Sequence, residues 1–390
     1  MSMVEWKTID DISSNVFAGG TPSTKHEDYY DGDIPWIRSG EIDFNTITKA
    51  ERNITQKGYN NSSAKLIRKG SVVMAMTGAT VAKSAIVDFE TSANQSVCAI
   101  ETNENIANYK FVYYSLAKDY FKIKSSAQGA LTSLNLAMIK QIQIPIPSLS
   151  EQQRIVGILD TFTSSIDNMK EQIAQRRKQY EYYRDQLLDL EGKEGVEMKT
   201  LGEICEIKGR IGFRGYTRED QVAEGEGVIS LSPGNIEEGK MKYNGCTYIS
   251  WEKYYESPEI MAFNNDIIFC KTGSTVGKVA MIEKLPCEAT INPQLVLLKN
   301  VAIDSKFLKY TLGTFRLQSI VKRLAGVGSV PNISQEKLNN LDILLPSLSE
   351  QHRIVSILDT FESSITNLES QLSQREKQYE YYRNKLLTFE

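Results

Sequence analysis

Four cations and no anion fall within eleven residues at Lys208-Gly-Arg-Ile-Gly-Phe-Arg-Gly-Tyr-Thr-Arg218. Glycines and two aromatics separate them. Such a loop can bring its backbone close to phosphates while arginine forks reach guanine edges. Arg210, Phe213, Arg214, Tyr216 and Arg218 are therefore candidate nucleic-acid contacts, against the plainer reading of a solvated basic loop. The turn Lys271-Thr-Gly-Ser-Thr-Val-Gly-Lys278 adds Lys271, Ser274 and Lys278. A matching turn, Met76-Thr-Gly-Ala-Thr-Val-Ala-Lys83, adds Thr80 and Lys83. The glycines and threonines of both turns read equally well as structure repeated because the fold repeats. Near the start, Gly20-Thr-Pro-Ser-Thr-Lys25 and Ile37-Arg-Ser-Gly40 occupy comparable places and contribute Thr21, Ser23, Lys25, Arg38 and Ser39. Glu27, Asp28 and Asp31 follow closely and dilute their charge.

Catalytic chemistry is poorly supplied. Only two histidines exist, His26 and His352, too few for a histidine-rich metal site or a triad. A Walker A loop needs GxxxxGK followed by Ser or Thr. Here three residues separate Gly273 from Gly277, and Val279 follows the lysine. Asn292-Pro-Gln-Leu295 lacks the second proline and the aromatic of an amino-methyltransferase motif, which would stack on a flipped base. No glycine-rich cofactor turn accompanies it.

The elements that must hold these loops are signalled by a stretch used twice. At an offset of 199 residues, 30 of the 44 positions in 147–190 and 346–389 are identical. Each copy opens on Pro-Ser-Leu-Ser-Glu, a proline before a capping box at Ser148–Glu151 and at Ser347–Glu350. Apolar residues then recur in alternating steps of four and three: Ile155, Leu159, Phe162, Ile166, Met169, Ile173, then Tyr180, Tyr183 and Leu187. The second copy follows with Ile354, Leu358, Phe361, Ile365, Leu368, Leu372, Tyr379, Tyr382 and Leu386. A heptad sustained this long marks a coiled-coil seam. Arg176 and Arg375 interrupt it and are candidates for fixing its register. Each helix should run about 60 Å at roughly 1.5 Å per residue. An isolated heptad run would read as a dimerisation coil; two near-copies in one chain can pair with each other. The Tyr-Glu-Tyr-Tyr-Arg cluster in each copy reads as packing rather than base stacking.

Blocks rich in turn signals precede each helix. The reading is residues 1–146 as a first block, 147–190 as a helix, 191–195 as a linker, 196–345 as a second block and 346–390 as a second helix. Strands are expected at Ser71–Met76 and Ala85–Phe89 and a helix at Tyr109–Lys124, in a small α+β domain with a curved sheet. The second block echoes the first at Met198-Lys-Thr-Leu201, Phe307–Leu312 and Gly328–Ile333. The sequence between these anchors has diverged, as expected when a common scaffold makes different contacts. The net charge of −4 gives no global pull toward nucleic acid, so binding must come from local patches. No run of eighteen apolar residues predicts a membrane span. Five cysteines without CxxC pairing, and a start without a secretory signal, point to reduced thiols and a cytoplasmic location.

The layout of block, helix, block and the same helix resembles the specificity subunit of type I restriction–modification enzymes. The Pro-Ser-Leu-Ser-Glu-Gln-x-Arg-Ile-Val-x-Ile-Leu-Asp segments carry the resemblance. Gly19–Pro22, Ile34–Ile37 and Gly209–Thr217 look like the openings of its target recognition domains. The resemblance implies two such domains separated by two long helices that form an antiparallel coiled coil, in a pseudo-two-fold internal repeat. Each domain would recognise one half of a split, asymmetric site on double-stranded DNA, and the helices would set the gap. Two methylation subunits would dock on helices and blocks, and restriction subunits would join them. The chain itself would carry no cofactor. S-adenosylmethionine, and ATP with Mg for restriction, would belong to those partners. Two rival readings stand beside it: a coiled-coil scaffold that binds only protein, and a self-sufficient DNA methyltransferase.

Overall fold

The computed structural model describes residues 4–127, 133–210, 215–326, 328 and 330–389. The chain divides into two compact units. One joins residues 1–170 to 370–390, and the other spans 171–369. Each contains one block, the first part of the helix that follows that block, and the last part of the other helix.

In the first unit, strands Ser13–Ala18, Val97–Thr102, Val72–Ala75, Ser84–Val87 and Thr46–Ile47 form a five-stranded sheet in that spatial order. Tyr30–Ile37 lies between Asn53–Ile54 and Ser92–Ala93 in a three-stranded sheet and runs parallel to the latter. Glu5–Thr8 pairs with Gln143–Ile146, so the two ends of the block lie side by side where the helix begins. The second unit repeats the plan. Glu206–Gly209, Leu295–Lys299, Ile267–Cys270 and Val279–Met281 form its larger sheet, and Val228–Leu231 runs parallel to Ala289–Ile291. Glu197–Thr200 pairs with Asp342–Leu345 as the block's closing ladder. The central strands of both sheets are buried on both faces, which is why they read as continuous apolar runs.

The expected helix over 109–124 is two helices, Tyr109–Lys118 and Tyr120–Ser125, which meet at Asp119. The long helices span Leu149–Leu187 and Leu348–Leu386, 39 residues each. Ser148 and Ser347 accept the backbone N–H of Glu151 and Glu350 as expected. The glutamates, however, take the forks of Arg154 and Arg353, with bonds of 2.7 and 2.8 Å in the first copy. A neighbouring guanidinium competes successfully for the carboxylate arm of the capping box.

Seam residues do two jobs. Ile155, Val156 and Leu159 are buried in the core of the first block with Phe111, Val112 and Leu116. Ile354, Val355 and Leu358 do the same in the second block. The buried stripe at each helix start is thus wider than a two-per-heptad seam, because it faces a globular domain. Beyond it, the helices meet each other. In the first unit Phe162 stacks on Tyr382, Arg375 lies over Phe162 at 5.7 Å, and Lys170 pairs with Glu376 at 3.3 Å. In the second, Tyr183 stacks on Phe361, Arg176 lies over Phe361 at 6.0 Å, and Arg177 pairs with Glu369 at 2.7 Å. Within each unit the contacts ascend one helix as they descend the other, so the pairing is antiparallel. Ile166 and Ile365 are buried along it, and Tyr180 and Tyr379 are half-buried.

Candidate functional site

Both blocks gather their connecting loops at one end of the sheet. In the first block, loop 19–25 leaves strand Ser13–Ala18 beside the start of Val97–Thr102, as the Ala18–Cys98 pairing requires. Turn 76–83 leaves the same end, since Ala75 pairs with Val97. Arg38 and Asn94 follow the two parallel strands there, and the Asn94 N–H donates to the Ile37 carbonyl at 3.0 Å. Four chain segments therefore form one rim. The second block builds an equivalent rim from Gly209, residues 271–278, Ser232 and Asn292.

Local rules explain the motifs. A Cβ on Gly19 would lie 2.3 Å from the Ala93 carbonyl oxygen, and one on Gly20 would lie 2.2 Å from the Ser63 backbone. The double glycine therefore serves close packing of the loop on its sheet. Gly78 and Gly273 hold φ of 81° and 101°, so the repeated Thr-Gly is a turn requirement. Leu134 and Ile333, at matching places in the two blocks, close onto these turns: their N–H groups donate to the Met76 and Lys271 carbonyls.

The structure separates the candidate residues. Ser23 and Lys25 are exposed on the first rim, and the Thr21 hydroxyl contacts the Gln95 side chain. Thr80 donates to the Ser39 carbonyl at 2.8 Å, which ties two candidate turns together. Arg38 is half-exposed and pairs with Glu51 at 2.5 Å. On the second rim Arg218 and Ser274 are exposed, and Lys271 is half-buried. The Asp220 carboxylate takes Thr217 N–H and hydroxyl, and those bonds hold it below the usual carboxylate range. No ion pair joins Asp220 or Glu219 to Arg218 among the described residues. Phe213 and Arg214 lie outside the described residues.

Four candidates have partners within their own block. Arg210 is 6% exposed and turned inward, donating from Nε to the Ile291 carbonyl and from a terminal nitrogen to Thr290 Oγ1. Burial pushes its guanidinium below its usual pKa, against the carboxylates of Glu256 and Glu259. Tyr216 is half-buried, with its hydroxyl 2.7 Å from Ser230 Oγ. Lys83 and Lys278 are engaged within their own blocks, by the Asp43 carboxylate and the Ile236 carbonyl respectively. Lys278 also borders a cavity of about 570 Å³, lined in part by Arg177, Tyr180, Lys309, Tyr310 and Glu362.

Other groups do work that the sequence pattern did not reveal. Gln152 is fully buried. Its Oε1 accepts the Asn108 N–H at 2.8 Å, and its Nε2 donates to the Ile106 and Pro147 carbonyls. Gln351 repeats this with the Asp304 N–H and the Pro346 carbonyl. Asp160 accepts Lys110 at 2.6 Å and the Tyr114 hydroxyl at 2.7 Å. Asp359 accepts Lys306 and the Tyr310 hydroxyl at 2.7 and 2.6 Å. These two residues of each helix lock it to its own block. Their recurrence at both copies was the available signal.

Residues 1–176 and 193–376 match the family described as the type I restriction modification DNA specificity domain. The EcoR124I/EcoR124II specificity subunit of Escherichia coli is 35% identical over 204 residues, half of each chain. The MjaIX specificity subunit of Methanocaldococcus jannaschii is 27% identical over 93% of this chain and 87% of its own. A solved structure from a study of complex assembly and conformational transition in the type I R-M system covers 98% of this chain and 97% of its own, with a TM-score of 0.64. At 18% identity that likeness speaks for the fold.

Proposed function

The chain belongs to the type I restriction modification DNA specificity family, and from that membership we propose that it is the non-catalytic DNA-recognition subunit of a methylation and restriction complex. Each block reads one half of a bipartite, asymmetric site on double-stranded DNA. The observation that carries this reading is the doubled rim: one scaffold, built twice, presents loops whose sequences have diverged. Phosphate contacts position each rim, and base edges in the major groove supply specificity.

The division of labour follows 1–146 and 196–345 as recognition domains, 147–190 and 346–390 as spacer helices, and 191–195 as a linker. On the first rim Thr21, Ser23, Lys25, Arg38, Ser39 and Thr80 face DNA. On the second, Phe213, Arg214, Arg218, Lys271 and Ser274 do so. Exposed residues that recur in both helices support docking of two methylation subunits. Tyr182 and Tyr381, 61% and 59% exposed, are the most exposed recurring large hydrophobic pair among the described residues. S-adenosylmethionine, and ATP with Mg where a restriction subunit joins, reside on those partners. The complex works in the cytoplasm.

Methylation mapping of a host genome with and without this chain tests the reading. A bipartite motif that disappears with the chain supports it. Exchanging residues 196–345 for the matching block of a relative should then alter one half of the motif. A scaffold that binds only protein would leave the methylated sequence unchanged in both experiments.

A further inference from the structure

Two residues that the sequence offered as DNA contacts are held inside the second block, and their partners show what they do. Ser230 and Thr290 face each other in the register of the parallel pair Val228–Leu231 and Ala289–Ile291. The Tyr216 hydroxyl lies on Ser230, and Arg210 donates to Thr290, which in turn donates to the Ile260 carbonyl at 3.2 Å. The Arg210 guanidinium stands 5.2 Å from the centre of the Tyr216 ring. Both flanks of residues 211–215 are thus fastened to each other and to both strands at one register position.

The first block fastens its loop at the same place with different chemistry. Trp36 and Ser92 are the register partners there. The Trp36 indole N–H donates to the Gly20 carbonyl at 3.0 Å. The Tyr30 hydroxyl donates to the Pro22 carbonyl at 2.6 Å, and its ring meets Trp36 edge-on at 6.0 Å. In this block the strand reaches out to the loop; in the second, the loop reaches in to the strands.

We propose that Arg210 with Tyr216, and Trp36 with Tyr30, are positioning residues that clamp each recognition loop onto its parallel strand pair and so set half-site discrimination without touching DNA. The proposal rests on the half-site reading above. The physical reason for a buried arginine is geometric. A guanidinium can donate in two directions while its face stacks on an aromatic ring, so one side chain fixes both flanks of a loop. An apolar residue of similar length would fill the space and leave the loop several orientations.

The test uses the chain assembled with its methylation subunits. Methylation rates are measured on the cognate site and on single-base variants of each half, for the unaltered chain, Arg210→Met and Trp36→Phe, together with melting temperatures. Arg210→Met should raise KM about tenfold with kcat retained, and flatten base preference in one half only. Trp36→Phe keeps an aromatic ring and removes the bond to Gly20; it should flatten the other half only. Unchanged preference in both halves overturns the clamp, and so does equal loss in both halves, which marks general destabilisation. If Arg210→Met fails to assemble, the Trp36→Phe result decides alone. Failure of the unaltered complex to discriminate either half would instead overturn the half-site reading.

Discussion

Phe162 stacks on Tyr382 with ring centroids 5.4 Å apart and planes inclined by 28°. Phe361 and Tyr183 repeat the stack at 5.4 Å and 27°. Each phenylalanine carries an arginine on the opposite helix, Arg375 in one case and Arg176 in the other. All three positions differ by the repeat offset of 199 residues. One contact set therefore occurs twice with the helices exchanged. Alanine cycles on Phe162 and Tyr382 should return a coupling of about 0.5–1.5 kcal/mol in denaturant unfolding. A cycle on Phe162 and Phe361, which a parallel pairing of the two copies would bring together, should return none. Equal couplings would contradict the antiparallel pairing.

Gln152→Ala should cost about 1–3 kcal/mol for each buried group it leaves without a partner. The Asn108 N–H and the Ile106 and Pro147 carbonyls are those groups. Gln152→Glu should be as damaging, because a carboxylate cannot donate to the two carbonyls. Thermal unfolding of both variants checks this; a tolerated Gln152→Glu would mean that the carbonyls are satisfied otherwise.

Asp160 shows which partner matters. The Lys110 amino group is partly exposed, so its ion pair contributes little after solvent screening. Tyr114 is buried and its hydroxyl depends on the carboxylate. Asp160→Asn keeps an acceptor and should stay within about 1 kcal/mol of the unaltered chain, whereas Asp160→Ala should cost about 1–3 kcal/mol. Tyr114→Phe combined with Asp160→Ala should recover part of that loss. No recovery would assign the cost to Lys110 instead.

The buried thiols give a prediction that needs no mutation. Burial pushes Cys98 and Cys205 up to about 12. The reactive thiolate is then scarce at pH 8.5, on the order of one molecule in three thousand. Cys246 and Cys287 are half-buried, and burial raises them as well. Alkylation of the native chain, read by mass spectrometry, should mark Cys246 and Cys287 first and reach Cys98 and Cys205 only on unfolding. Equal rates at Cys98 and Cys287 would show that the first sheet opens readily.

The helices, their starts and their mutual seam were legible because a heptad is local information and the chain states it twice. The turns at Gly78 and Gly273 were legible for the same reason. The partners of single charges were not. Arg210 finds Thr290 across 80 residues, and Lys83 finds Asp43 across 40. Both read as free cations because nothing nearby in the sequence announces an acceptor. Gln152 and Asp160 were missed differently: a polar residue on a long helix reads as solvated unless something shows that a neighbouring domain covers it.

Leu387, just past the second long helix, is buried in the core of the first block, where Lys118 donates to its carbonyl at 2.9 Å. Leu188, just past the first helix, fills the second block in the same way. The first core is therefore short of a side chain that leaves the ribosome 241 residues after Ile146. At about 5–20 residues per second, that is a wait of roughly 12–48 s. Beyond the start of its own helix, the second core needs nothing that has not already been made. The two halves share a scaffold but not a folding schedule. A chain released early presents a first half whose core lacks Leu387.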